Sequence, residues 1–283
     1  MATWLITGCS TGLGRALAQE VLSGGHSAVV TARRDSAVQD LVDAHPDTAL
    51  GLALDVTDHV QVAEAVHRAE ERFGRIDVLV NNAGYGYRAA LEEGDDADVR
   101  RLFDTNLFGA IAMIKAVLPG MRAQRAGTIV NVSSIGARAC PAGSGYYSAT
   151  KAALEAVTSA LRKEVQPLGI TAMSVEPGAF RTDFSGRSLT QSAEAIADYA
   201  ETAGKRRKEN DAVHGTQPGD PARAAAALVE VVGSGKAPEL LVLGPDALIR
   251  LRSVLDGLGA DVDAWEQVST STDFPNLDAN GQT

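Results

Sequence analysis

Seven short apolar runs recur along the first 243 residues, and amphipathic stretches separate most of them. The runs are Ala2–Ile6, Ser27–Ala32, Ala49–Leu54, Ile76–Val80, Thr128–Val132, Thr171–Val175 and Glu239–Leu243. Each is short enough to be a strand buried on both faces. Between them, Leu13, Ala16, Leu17 and Val21 recur at helical spacing. So do Val62, Val66, Ala69 and Phe73, a stripe closed by Gly74. Strands alternating with helices mean parallel β-α-β units, and right-handed crossovers place helices on both faces of one sheet. The chain is therefore read as a single α/β domain, 1–283, of doubly wound Rossmann type. Further helices are expected at about 98–124, 145–166, 221–232 and 248–258. The polar stretch 183–215 carries no apolar run and is expected to be a strandless lid. The end, after about 268, is expected to be a frayed tail.

The first run leads into Thr7-Gly8-Cys9-Ser10-Thr11-Gly12-Leu13-Gly14. Gly8 to Gly12 fits G-x-S-x-G, the turn that exposes a nucleophilic serine in α/β hydrolases. The same glycines fit a loop that brings a pyrophosphate to a helix N-terminus, where N–H groups are unpaired and partial positive charge accumulates. The hydrolase reading needs a histidine and an acid near Ser10, and His214 is the only histidine in the second half of the chain. The nucleotide reading finds support in Arg33 and Arg34, which follow the second strand. An acidic residue near this point takes the ribose 2′-hydroxyl of NAD, whereas arginines attract a 2′-phosphate. A charged hydrogen bond of that kind is worth roughly 10- to 150-fold in affinity. Asp55 and Val56 end the third strand, where an adenine would lie. Asp55 could equally cap the helix that begins near Asp58. Asn81-Asn82-Ala83-Gly84 ends the fourth strand with small residues that suit a close ligand.

Tyr147 and Lys151 stand four apart on one helical face. A tyrosine with an ordinary pKa near ~10 exchanges protons poorly at neutral pH, and nearby positive charge favours its phenolate. The adjacent ammonium and a cationic nicotinamide are sources of that charge. Ser134 follows the fifth strand, thirteen residues before Tyr147, and could hold a substrate oxygen. Asn106 sits on the apolar side of the long helix.

TGCSTGLG, NNAG at 81–84, Asn106, NVSS at 131–134, YSATK at 147–151 and EPGAFRT at 176–182 resemble the short-chain dehydrogenase/reductase family. The likeness spans about residues 2–243. TGCS, TARR and the GSGYY run resemble its 17β-hydroxysteroid dehydrogenase-like branch. The resemblance implies a seven-stranded parallel sheet of order 3-2-1-4-5-6-7. It implies a ketoreductase or alcohol dehydrogenase that uses NADP(H) in preference to NAD(H). Tyr147 would be the general acid or base, Lys151 its electrostatic partner and a ribose contact, Ser134 the holder of the substrate oxygen, and Asn106 the anchor of a water leading to Lys151. Gly8, Ser10, Thr11, Gly12, Leu13, Gly14, Arg33, Arg34, Asp55, Val56, Asn82, Ala83, Gly84, Pro177, Gly178, Phe180 and Thr182 would contact the cofactor. Tyr85, Tyr87, Cys140, Ala142, Tyr146 and the lid would line the substrate pocket. Intact positions at 106, 134, 147 and 151 weigh against a non-catalytic NADP-binding sensor on the same fold. The two long helices resemble those forming a four-helix interface in many relatives, so a homodimer or homotetramer is expected.

Composition narrows the partners. The formal charge is −10, and the one dense basic run, Lys205-Arg206-Arg207-Lys208, lies among acidic residues and reads as a solvated helix face. Nucleic acid is not an expected partner. The two cysteines, Cys9 and Cys140, suggest a reducing compartment with no disulfide. The five histidines form no metal-ligand spacing, so no metal is expected. Without a leader-like start or an apolar run of spanning length, the chain reads as cytoplasmic and not membrane-bound. Asn131-Val132-Ser133 matches a glycosylation pattern but falls in an expected buried strand.

Overall fold

The computed structural model describes residues 1–186, 188–208 and 215–274. Seven parallel strands form the central sheet. They are β1 (Thr3–Ile6), β2 (Ser27–Ala32), β3 (Ala49–Ala53), β4 (Val78–Asn81), β6 (Gly127–Val132), β7 (Ile170–Pro177) and β9 (Leu240–Leu243), ordered β3-β2-β1-β4-β6-β7-β9. This is the expected order, because the two further strands lie outside the main sheet. The sequence turns from the left half to the right half between β1 and β4, and the carboxyl ends of the strands open there into a crevice.

Helices cover both faces. On one side α1 (Gly12–Ser23) and α8 (Pro221–Gly233) pack together over β1, β2 and β4, with Leu17, Val21, Leu22, Ala225 and Leu228 buried against Ile6, Val30 and Val80. On the other side lie α3 (His59–Phe73), α5 (Ala110–Gln124) and α7 (Gly145–Val165), with Val62, Val66, Met113, Val117 and Leu161 on Leu5, Leu79 and Ile129. Asp58 caps α3, accepting from Val60 N and Gln61 N at 2.9 and 3.2 Å. Asp55 instead folds onto Thr57, so its alternative role as that helix's cap is not the one observed.

Short helices α2 (Gln39–Ala44) and α6 (Gly136–Ala139) were not signalled by periodicity. The expected 98–124 helix is three pieces: α4 (Asp96–Phe103), a π-helical turn at Asp104–Gly109, and α5. The composite Asp96–Gln124 reaches a mean hydropathy of 1.3 over 18 residues, so by length and composition a spanning run does exist. Half of that window is buried inside the fold, which makes it a core element. The segment 183–215 is not strandless. Leu189–Gln191 (β8) pairs in parallel with Gly86–Arg88 (β5), clamping this stretch over the crevice. The last helix, α9 (Pro245–Thr270), runs twelve residues beyond the expected end at 258, so the chain is still helical where fraying was expected. Beyond its first turns it stands clear of the body, with Leu255, Leu258, Val262 and Trp265 exposed. The final nine residues of the tail, and His214 of the hydrolase reading, lie outside the described residues.

Candidate active site

The crevice is a cleft of about 1110 Å³ at the carboxyl ends of the strands. Its walls include Gly8, Ser10–Leu13, Arg33, Asp55, Val56, Asn82–Tyr85, Ser134, Tyr147, Lys151, Pro177, Gly178, Phe180 and Thr182. Five expected contacts are elsewhere. Arg34 is exposed and directs its carbonyl to Ala37 N, outside the cleft wall. Tyr146 packs over Gly94 and donates to Leu91 O at 2.5 Å. Tyr87 is buried behind the wall, where its hydroxyl accepts from Asp95 N at 3.1 Å. Cys140 and Ala142 face solvent. The helix start after Ser144 turns these residues away from the cavity that Tyr147 faces.

The glycine loop is built for close approach. The Thr7 hydroxyl accepts from Asn82 N and Ala83 N at 3.0 and 2.9 Å, and Asn82 Nδ2 donates to Thr7 O and Gly8 O at 2.9 and 3.0 Å. A Cβ on Gly14 would lie 2.5 Å from Gly8 O, so only glycine lets α1 start this near the loop. Thr11, at the N-cap, makes no side-chain cap bond, which leaves the first N–H groups of α1 free to face a ligand. These features fit a phosphate-bearing dinucleotide whose other end would reach Lys151 and Pro177. They do not fit a nucleophilic serine. Cys9 beside Ser10 is fully buried and its thiol is pushed up to about 12 by burial, so it is no nucleophile either.

Tyr147 is 7 % exposed and its ring packs on Phe184 at 5.7 Å. Burial raises its pKa, while a hydrogen bond with Ser134 and the charge of Arg88 pull it down. Arg88 thus adds a positive charge that acts on the phenol, beside the expected Lys151. Lys151 Nζ stands 6.0 Å from the tyrosine ring centroid and donates to Val132 O at 2.8 Å. Burial lowers the lysine to about 8, against the pull of Glu155, so it is mostly charged at neutral pH. Ser134 Oγ accepts from Gly136 N at 3.0 Å. Asn106 sits on the π-helical turn. Its Oδ1 accepts from Tyr85 N at 3.0 Å, and its Nδ2 donates to Tyr85 O at 2.8 Å and Thr150 Oγ1 at 3.2 Å. Its side chain is committed to holding the Gly84–Tyr85 loop beside Lys151.

Behind Lys151 lies a buried polar network that the sequence did not announce. Ser133 Oγ donates to Glu155 Oε1 at 2.5 Å. Arg138 Nε bridges Glu155 and Glu176 at 2.9 and 3.2 Å. Glu176 is 0 % exposed, and burial and the nearby Glu155 raise its carboxyl to about 7. Between pH 4.5 and 7 the folded chain holds a proton that the unfolded chain has lost. Its stability contribution is therefore complete below about 4.5 and is lost as pH rises through 7. Glu176→Gln is expected to flatten that decline, worth roughly 3 kcal/mol at most, in urea titrations run from pH 5 to 8. An unchanged slope would mean Glu176 is ionised throughout. Asn131 is buried too, donating to Thr158 Oγ1 and accepting from Asn81, which leaves its glycosylation pattern without an accessible acceptor.

The expected solvated face at 205–208 is corrected. Arg206 lines the cleft, and Arg207 is paired with the buried Glu93.

A doubly wound sheet whose crevice holds Ser134, Tyr147 and Lys151 beside a glycine-rich helix start defines a nucleotide-dependent oxidoreductase architecture. The chain belongs to the short chain dehydrogenase family, whose model matches residues 2–193. It is 36% identical to "Oxidoreductase BOA17" of Botryotinia fuckeliana over 95% of this chain and 98% of the relative. A short-chain dehydrogenase from Streptomyces avermitilis superimposes with a TM-score of 0.91 at 43% identity, covering 96% of this chain and 99% of the other. The 3-ketoacyl-(acyl-carrier-protein) reductase of Brucella melitensis, complexed with NADH, gives 0.72 at 25% identity, over 86% and 96% of the two chains.

Proposed function

We propose that this oxidoreductase interconverts a ketone or aldehyde and an alcohol, using NADP(H) in preference to NAD(H). The observation that carries the reading is the buried Tyr147 hydroxyl, hydrogen-bonded to Ser134 and facing the same cleft as Lys151. The nicotinamide cofactor supplies or accepts the hydride. Ser10, Thr11 and the first N–H groups of α1 receive its phosphates, Arg33 the 2′-phosphate, and Asp55 and Val56 flank the adenine. Asn82–Gly84, Pro177, Gly178, Phe180 and Thr182 border the nicotinamide half. Ser134 holds the substrate oxygen, and Tyr147 gives that oxygen a proton in reduction or takes one in oxidation. Lys151, positively charged, stabilises the phenolate left behind. Asn106 keeps Tyr85 and the loop beside Lys151 in place. The segment 183–208 acts as the lid.

Exposed Phe108 and the half-buried Ile111, Ala153 and Val157 support self-association through the two long helices. Two free cysteines support a cytoplasmic setting. A panel of ketones and alcohols, followed by NADPH absorbance, tests the function. Ketone-dependent NADPH consumption is expected, and cofactor binding without turnover of any substrate would favour the sensor reading instead.

A further inference from the structure

Arg88 ends β5 and is 8 % exposed on the wall of the cleft. Its Nη1 donates to Ser144 Oγ at 2.6 Å, and Ser144 is itself 1 % exposed. Its Nε is buried with no hydrogen-bond partner among the described residues. Among the described residues no carboxylate pairs with it either. The charged groups it feels are Arg206, which repels it, and the Tyr147 phenol. Burial and that repulsion lower Arg88 only to about 10, so it is a cation at neutral pH.

A buried guanidinium without a counter-charge is costly, and proteins pair such groups. Here the arginine faces a cavity, beside a second arginine, at the reacting tyrosine. With Nη1 taken by Ser144, the edge carrying Nε remains, and a guanidinium edge matches the two oxygens of a carboxylate. We infer that Arg88, steadied by Ser144, receives a carboxylate of the substrate, so that this enzyme acts on oxo acids and the corresponding hydroxy acids. The inference rests on the carbonyl-reductase reading of the same cleft. Arg88 and Tyr147 line the same cleft, so the carboxylate would share the cavity with the carbonyl whose oxygen Ser134 and Tyr147 hold. Arg206, carried by the lid segment, brings a second positive charge to the same end of the cavity.

The test compares 2-, 3- and 4-oxo acids, 4-phenyl-2-oxobutanoate among them, with their methyl esters. Turnover is followed by NADPH consumption, and binding by the shift in melting temperature of the protein–NADPH complex. For the wild type, at least one acid is expected to exceed its ester about 10- to 100-fold in kcat/KM and to raise the melting temperature where the ester does not. Arg88→Gln should remove both differences, costing the acid at least about 10-fold more than it costs the ester. Arg88→Lys should restore part of the preference. Esters used as well as acids by the wild type would overturn the inference while leaving the carbonyl-reductase reading intact. Acid and ester falling together in Arg88→Gln would also overturn it, since that pattern belongs to a residue acting only through Tyr147. If neither acid nor ester is turned over, the reductase reading fails, and the melting shift still decides whether Arg88 holds a carboxylate.

Discussion

Tyr147→Phe is expected to cut turnover by about 10²- to 10⁴-fold while NADPH still binds with nearly unchanged affinity. The substitution removes one oxygen from a ring already packed on Phe184 at 5.7 Å, so the wall keeps its shape. What is lost is the proton carried to the substrate oxygen and the hydrogen bond to Ser134. With no ligand near it, burial holds the phenol above its usual pKa. The proposed proton exchange near neutrality then needs further positive charge, which the oxidised nicotinamide would add to that of Lys151 and Arg88. Single-turnover kinetics with pre-bound NADPH separates the proton step from binding. A variant that still turns over at the wild-type rate would remove Tyr147 from the chemistry.

Arg33→Ala is expected to weaken NADPH binding by roughly 10- to 150-fold and to leave NADH almost untouched. Arg33 is exposed but lines the cleft after β2, while Arg34 turns away, so under the proposed NADP(H) preference one guanidinium would carry the discrimination. Asp55 lies across the same end and is occupied by Thr57 N and Oγ1 at 3.0 and 2.7 Å, which keeps its carboxylate engaged at the third strand. Fluorescence titration with both cofactors measures the ratio directly. Equal losses for the two would mean that Arg33 meets a part they share, and the preference would have to originate elsewhere. Arg34→Ala serves as the control and should change neither.

The seven sheet strands were legible because each is a short apolar run, the central ones buried on both faces, a pattern that local sequence carries unaided. The β5–β8 pair was not. Gly86-Tyr87-Arg88 and Leu189-Thr190-Gln191 are three residues each, hold no apolar run, and meet across about a hundred residues of chain. The π-helical turn at 104–109 was invisible for a different reason: one added residue per turn leaves the periodicity of Phe103, Ala110 and Met113 nearly intact. Tyr147 and Lys151 were paired by their four-residue spacing on one helix face and Ser134 by its place after a strand end, while their roles came from the family resemblance. The substrate wall was missed where it depended on rotation. Tyr146, one residue before Tyr147, points about 100° away and leaves the cavity. The same rotation splits Arg206 from Arg207. Nothing in the sequence around Arg88 says that it is buried without an acid beside it.

Beside the β5–β8 pair, Glu93 is a second tie between the lid and the body. Its Oε2 accepts from Ala90 N at 2.8 Å and pairs with Arg207, while its Oε1 accepts from Ile196 N at 2.9 Å. Its main-chain carbonyl also accepts from Ser192 Oγ. Burial works against its charge, but those N–H groups and Arg207 outweigh it and hold the carboxyl below its usual pKa. One carboxylate therefore fastens two separate points of the lid, 196 and 207, to the turn at 91–93. Releasing either point costs that buried carboxylate one of its partners, so the two attachments are coupled through a single side chain.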